Sequence, residues 1–177
     1  MTTVLALDLA KNSGYAVIES DGRVRACGSW NLAWGLAESG KSALPLDTRH
    51  VIQIQRLRKA VAGVCRDFDV TIVAVEREFG RGVGSRLLVS LYTAANEAAY
   101  DAGAAALGIR LGDWRKGIHG SSGKSTDFYK SEALRICAAD GIEVPDADAA
   151  EAVLIARFVQ RNVRVTPSAP KAKGFAA

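Results

Sequence analysis

Four acids stand where catalysis could use them: Asp8, Glu76, Asp148 and Glu151. Asp8 closes the apolar run TVLALD (3–8), and Glu76 closes VTIVAVE (70–76), the clearest continuous, β-branched stretch in the chain. Acids at the ends of buried strands face the crevice where α/β sheets hold ligands. Asp148 and Glu151 lie three apart at the start of a helical pattern, so they share one face, and their neighbours are mostly alanine. A helix built this way could approach a sheet edge closely and present both acids to it. Carboxylates gathered at one point repel unless a cation sits among them. An all-oxygen donor set selects hard ions, Mg²⁺ or Mn²⁺. Two such ions can activate a water and stabilise the leaving oxygen in phosphodiester hydrolysis. That chemistry requires neither of the two histidines, His50 and His119.

Each acid also has a simpler reading. Asp8 fits a turn and Glu76 a surface position after a strand. Asp148 and Glu151 complement a helix dipole, and Asp146 fits an N-cap. The simpler readings leave unexplained why two strand ends and one helix face carry acids together.

The elements that must position these residues follow from pattern. Strands are expected at 3–8, 15–20 and 24–30, separated by turn signals at Asn12-Ser13-Gly14 and Asp21-Gly22, which makes an antiparallel meander. Residues 31–47 carry Gly35, Gly40 and Pro45 without a clear period and read as a long loop. A helix starts at Asp47 or Thr48 with Val51, Ile54, Leu57, Val61 and Val64 on its apolar face. The strand 70–76 follows, then a polar stretch (77–86), an Ala-rich helix (86–102) and a short strand (106–111). Residues 113–127 are polar and read as irregular, with at most a helical turn at the start. Helices at 127–141, stopped by Gly141, and at 147–161 complete the order. The expected fold is α/β: a mixed five-stranded sheet, three strands in a meander and two more, flanked by helices.

Length and composition are consistent with one domain. The 177 residues are 49% hydrophobic and 24% charged, enough for a core. Residues 1–163 are taken as that domain and 164–177 as a basic, disordered tail. No apolar run is long enough to span a bilayer. The opening MTTVLALDLAKNSGYAVI lacks a basic leader, so a cytoplasmic location is expected, without a signal peptide. Cys27, Cys65 and Cys137 are far apart with no CxxC, which reads as free thiols. Net charge is +4, but the tail supplies three of those charges, so bulk charge decides little. Local clusters say more. Arg77, Arg81 and Arg86 face one acid in 77–86, and 110–135 holds six cations, including Arg115, Lys116, Lys124 and Lys130, against three acids. Such residues give phosphate affinity without sequence preference. The GSSGKS run at 120–125 is not a phosphate-binding loop, because Ile118 stands where the first glycine belongs and no buried strand precedes it.

Four ordered segments resemble the RuvC family of Holliday-junction resolvases: LALDLAKNSGYAVI (5–18), VAVEREFG (73–80), DWRKGIHGSSGKSTDFYKSEAL (113–134) and DADAAEAVLIA (146–156). Together they cover nearly the whole chain. The resemblance implies a ribonuclease H-like fold and a homodimer with two active sites. It also implies Mg²⁺-dependent hydrolysis of two strands of a four-way DNA junction, in a bacterial or phage-infected cell. Asp8 and Glu76 match the family's first two catalytic acids, and Asp148 and Glu151 the last two. The family usually has Asp at the last position, so Glu151 is a departure with a longer arm. Phe79 matches the position where an aromatic ring packs on a junction base. With Lys11, Arg77, Arg81, Arg86, Arg115, Lys116, Lys124 and Lys130, it makes up the expected DNA surface. The long 31–47 loop is more like the resolvases of bacteriophages. The 86–102 helix is a candidate dimer surface. Within the same fold, a ribonuclease H or a general branched-DNA nuclease is the alternative. An actin-like ATPase half needs a second, duplicated domain for which 177 residues leave no room. A non-catalytic DNA-binding module does not account for four acids.

Overall fold

Alternation in the first strand decides the layering of the molecule. In the computed structural model, which describes residues 2–37, 40, 43–77 and 85–163, β1 (Val4–Asp8) sends Leu5 and Leu7 to one side of the sheet and Val4 and Ala6 to the other. β2 (Asn12–Ile18) and β3 (Val24–Asn31) extend β1 as an antiparallel meander. β4 (Ile72–Arg77) pairs with β1 in parallel, and β5 (Ala105–Arg110) with β4, also in parallel. The sheet order is β3-β2-β1-β4-β5, as the expected mixed fold requires.

Two helices cover one face. α1 (Leu46–Asp67) and α2 (Ser85–Asp101) pack on Leu5, Leu7, Val17, Val73 and Val75. α3 (Leu111–His119), α4 (Thr126–Ala139) and α5 (Ala147–Asn162) lie on the other, against Val4, Ala6, Ala16, Ile18, Ile72 and Ala74. Buried residues surround α5 on nearly every side, from Ala149 to Ile155 without a break. This is the pattern of a helix enclosed by its own domain. No helix among the described residues is long and apolar enough to cross a membrane. All three cysteines are free thiols, two of them buried.

Several expectations are corrected. Asn12-Ser13-Gly14 is not a turn but the start of β2. The bend sits at residues 9–11 and is closed by Ser13, whose Oγ donates to the Ala10 carbonyl at 2.7 Å. Gly14 serves packing instead. A Cβ there would lie 2.0 Å from the carbonyl oxygen of Asp148, so only glycine lets α5 rest its first turn on β2. The helix therefore crosses the sheet face, over β1, β2 and β3, and not a sheet edge. Gly14→Ala is expected to lower stability by about 1–3 kcal/mol, because backbone atoms must move to admit the methyl. A thermal melt checks this, and an unchanged melting temperature would refute the close contact.

The segment expected to be irregular from residue 113 begins with α3. Leu111, Trp114 and Ile118 recur at helical spacing and pack on the core, while Asp113 and Lys116 face out. Gly117 does not break this helix, since the Phe158 ring occupies the space a side chain would need. Gly120, at φ 75°, ends it. α1 buries Gln53, Leu57, Val61 and Cys65, whereas Val51 points outward. The helix starts at Leu46, behind Pro45, one residue earlier than the earliest expected start. On α2, the helix expected as a candidate dimer surface, Ala94, Ala95, Ala98 and Ala99 lie in the core while Val89 and Tyr100 are exposed, so part of the helix remains accessible. The tail expected at 164–177 lies outside the described residues.

Candidate functional site

Parallel pairing of β1 with β4 brings two strand ends to one edge of the sheet. Leu7 pairs with Val75, so one step further Asp8 stands beside Glu76. By alternation both acids follow Ala6 and Ala74 onto the face covered by α5. α5 starts at that point. Its N-cap is Asp146, whose carboxylate accepts from the Ala149 amide at 2.9 Å and from Ser29 Oγ at 2.6 Å. Burial pushes the Asp146 carboxyl up, but these bonds and one from Asn12 outweigh it and hold it below the usual range.

Three of the four acids converge. Asp8, Asp148 and Glu151 each offer a carboxylate oxygen, and these oxygens lie within 4.8 Å of one another. Glu76 is not within that group of three. Its carboxylate accepts from Trp114 Nε1 at 2.7 Å, yet its charge still acts on Asp8. Burial, then the charges of Glu76, Glu151 and Asp148, raise the Asp8 carboxyl well above its ordinary value, with Lys130 opposing.

Two cations hold the outer sides of the cluster. Lys130 Nζ donates to Asp148 Oδ1 at 2.6 Å, and Asn12 Nδ2 donates to Asp148 Oδ2 at 2.8 Å. The bond to Asp148 raises the Lys130 ammonium above its usual value. Arg115 donates to Glu151 Oε1 at 3.2 Å, and both residues are buried. The Arg115 guanidinium also lies 4.4 Å from the centroid of the Tyr129 ring. Burial raises the Glu151 carboxyl, with Arg115 and Lys130 pulling the other way.

A divalent cation fits this arrangement. The donors are oxygens only, which suits a hard ion. Burial and then the charges of Glu76, Glu151 and Asp148 raise the Asp8 carboxyl, which signals negative charge that Lys130 does not fully offset. Each carboxylate oxygen has lone pairs beyond those accepting from Asn12, Lys130 and Arg115.

The expected DNA-contact residues divide. Lys11, Arg77, Arg86, Lys116 and Lys124 are exposed, at the β1–β2 bend, the end of β4, the start of α2, α3 and the α3–α4 connection respectively. Phe79 and Arg81 lie outside the described residues. Arg115 is corrected: it points inward to Glu151 and is not a surface contact, because α3, unrecognised in the sequence, turns it toward the core. Lys130 is half-buried and bound to Asp148. Sequence reasoning missed Trp114 and Asn12 as supports of the site. A polar-flanked tryptophan directly before Arg115 was the available signal for the first. Nothing in the local sequence marks the second, since its partners are more than 130 residues away.

No protein-family model matches the sequence, and no curated protein matches it. Solved structures do. RuvC of T. thermophilus in complex with Holliday junction substrate superposes with a TM-score of 0.66 at 19% identity, covering 90% of this chain and 96% of that one. A second Thermus thermophilus RuvC structure gives 0.62 at 19% identity over the same shares. The yeast mitochondrial Holliday junction resolvase Ydc2 gives 0.61 at 15% identity, covering 90% of this chain and 78% of that one. The fold of this chain is therefore the one seen in these RuvC structures.

Proposed function

We propose that this chain is a metal-dependent endonuclease that resolves four-way DNA junctions. One observation carries the reading. In a RuvC-type fold, Asp8, Asp148 and Glu151 converge to within 4.8 Å at the strand end where Glu76 also stands. Asp8, Asp148 and Glu151, together with Glu76 beside them, would hold Mg²⁺ or Mn²⁺, two ions in all. The ions supply an activated water and stabilisation of the leaving oxygen. The chain's own residues do the positioning. Asn12 and Lys130 fix Asp148, Arg115 fixes Glu151, and Trp114 fixes Glu76. Lys11, Arg77, Arg86, Lys116 and Lys124 would contact phosphates, and Phe79 and Arg81 are proposed as further DNA contacts. A junction presents two strands for cutting, so a homodimer supplies the second site. The solved structures support the substrate, since one was determined with Holliday junction substrate.

The deciding experiment offers the purified chain, with Mg²⁺, four-way, three-way, flap and linear duplex DNA and an RNA–DNA hybrid. Preferential cutting of the four-way junction is expected. Preference for the hybrid points to a ribonuclease H, and equal cutting of all branched forms to a general branched-DNA nuclease. No cutting of any branched DNA sinks the proposal.

Trp114→Phe tests the support of Glu76. It keeps an aromatic ring in the core but removes the Nε1 donor. Removing a hydrogen bond that orients a metal-site carboxylate typically costs about 10–100-fold in metal affinity or activity. The Mg²⁺ concentration for half-maximal cleavage is expected to rise while metal-free junction binding is unchanged. An unchanged Mg²⁺ titration removes Glu76 from the working site.

A further inference from the structure

The turn that follows β3 is built to hold one large aromatic ring in solvent. Trp34 is 76% exposed, the highest value among the exposed large hydrophobic residues of the described part of the chain. The other two tryptophans have partners: Trp30 stacks on Tyr15 with centroids 4.4 Å apart, and Trp114 is fully buried. The backbone beneath Trp34 is fixed from several directions. Leu32 is buried and anchors the turn. Asn31 Oδ1 accepts from the Ala33 amide at 3.1 Å, and the Asn31 carbonyl accepts from the Trp34 amide at 3.2 Å. Arg56, on α1, donates to the carbonyls of Leu32 and Trp34 at 2.9 and 2.7 Å. A ring displayed on so constrained a turn loses little entropy on engaging a partner.

Position and charge identify that partner. The turn leaves the sheet at the end that carries the carboxylates. Asn31 pairs with Asn12, the residue that donates to Asp148, and the Leu32 amide donates to the Lys11 carbonyl. β3 is two strands from β1, roughly 10 Å at the usual strand spacing. That span is about three stacked nucleotide steps. Lys11 and Arg56 place two cations around the turn, which suits a polyanion. We infer that Trp34 is a stacking platform for a nucleobase unpaired near the branch point of the DNA substrate. The inference rests on the proposed junction-cutting function, and it concerns a residue other than Phe79.

Ring stacking on a base is worth about 1–3 kcal/mol. Trp34→Ala is therefore expected to weaken metal-free binding of a four-way junction roughly tenfold. Binding of a fully paired linear duplex stays unchanged, and Trp34→Phe retains most of the junction affinity. Junction addition quenches the tryptophan emission of the native chain, and this quench is lost in Trp34→Ala. The inference is overturned if Trp34→Ala binds the junction as tightly as the native chain, or if junction and duplex binding fall together. It is overturned too if the native chain sediments as a dimer and Trp34→Ala as a monomer, since a second copy then covers the ring. A native chain that neither binds nor cuts branched DNA refutes the proposed function itself, whatever Trp34 does.

Discussion

Asp8→Asn is expected to stop cleavage, leave junction binding intact and make the metal-free protein more stable. A loss of at least roughly a thousandfold in rate, about 4 kcal/mol of transition-state stabilisation, follows from removing a charged ligand at the centre of the carboxylate group. Binding survives because the substitution removes a metal ligand and no phosphate contact. The stability gain has a definite sign. Burial and the charges of Glu76, Glu151 and Asp148 raise the Asp8 carboxyl well above its ordinary value of 3.8. Between that value and the raised one, the folded chain holds a proton that the unfolded chain has released. Stability therefore falls as pH rises through that window. The asparagine variant does not take part in this loss. In chelator at mildly alkaline pH it should melt above the native chain, and in mildly acidic buffer the difference should shrink. Mg²⁺ should raise the melting temperature of the native chain more than that of the variant. A variant that melts lower than the native chain in alkaline chelator shows that the carboxylates do not strain the metal-free fold.

The sequence carried this site unevenly, for physical reasons. Asp8 and Glu76 were legible because each ends an apolar run, and period-2 alternation placed them on a common face once β1 and β4 were neighbours. Asp148 and Glu151 were legible from their three-residue spacing. The surroundings were harder. Gly14 reads as a turn residue from local propensity, but its role is set by a carbonyl 134 residues away. α3 is hidden in the sequence because Asp113, Lys116 and Gly117 lie within it and Gly120 directly after it. Only the packing of Leu111, Trp114 and Ile118 reveals the helix. Arg115 reads as a phosphate contact in a polar loop, whereas on the buried face of α3 it pairs with Glu151. The meander and the existence of two further strands are legible from buried runs and short connections, whereas the parallel pairing of β4 with β1 and β5 comes from the structure. The support of the carboxylates is not legible, because it depends on side chains joined across the fold.

Arg115→Ala should be the most destabilising of the substitutions considered. Arg115 and Glu151 are both buried and joined at 3.2 Å. Removing one partner of a buried pair leaves the other charge without compensation, at about 3–5 kcal/mol. The guanidinium also lies over Tyr129 and beside Trp114, so packing is lost as well. Burial already raises the Glu151 carboxyl, with Arg115 opposing. Without Arg115 it should hold its proton to still higher pH, and a protonated Glu151 is a poor cation ligand. Stability and cleavage should therefore fall together, cleavage recovering in part as Mg²⁺ or pH is raised. The double variant Arg115→Ala, Glu151→Gln separates the two causes. If the stranded charge dominates, glutamine restores more than half of the lost stability while cleavage stays low. If glutamine restores nothing, the stability came from the stacking of Arg115 on Tyr129 and Trp114. The arginine then supports the site through α3 and not through Glu151. The longer acid at position 151 makes the first outcome the expected one, because its extra methylene carries the carboxylate out to a guanidinium anchored on the neighbouring helix.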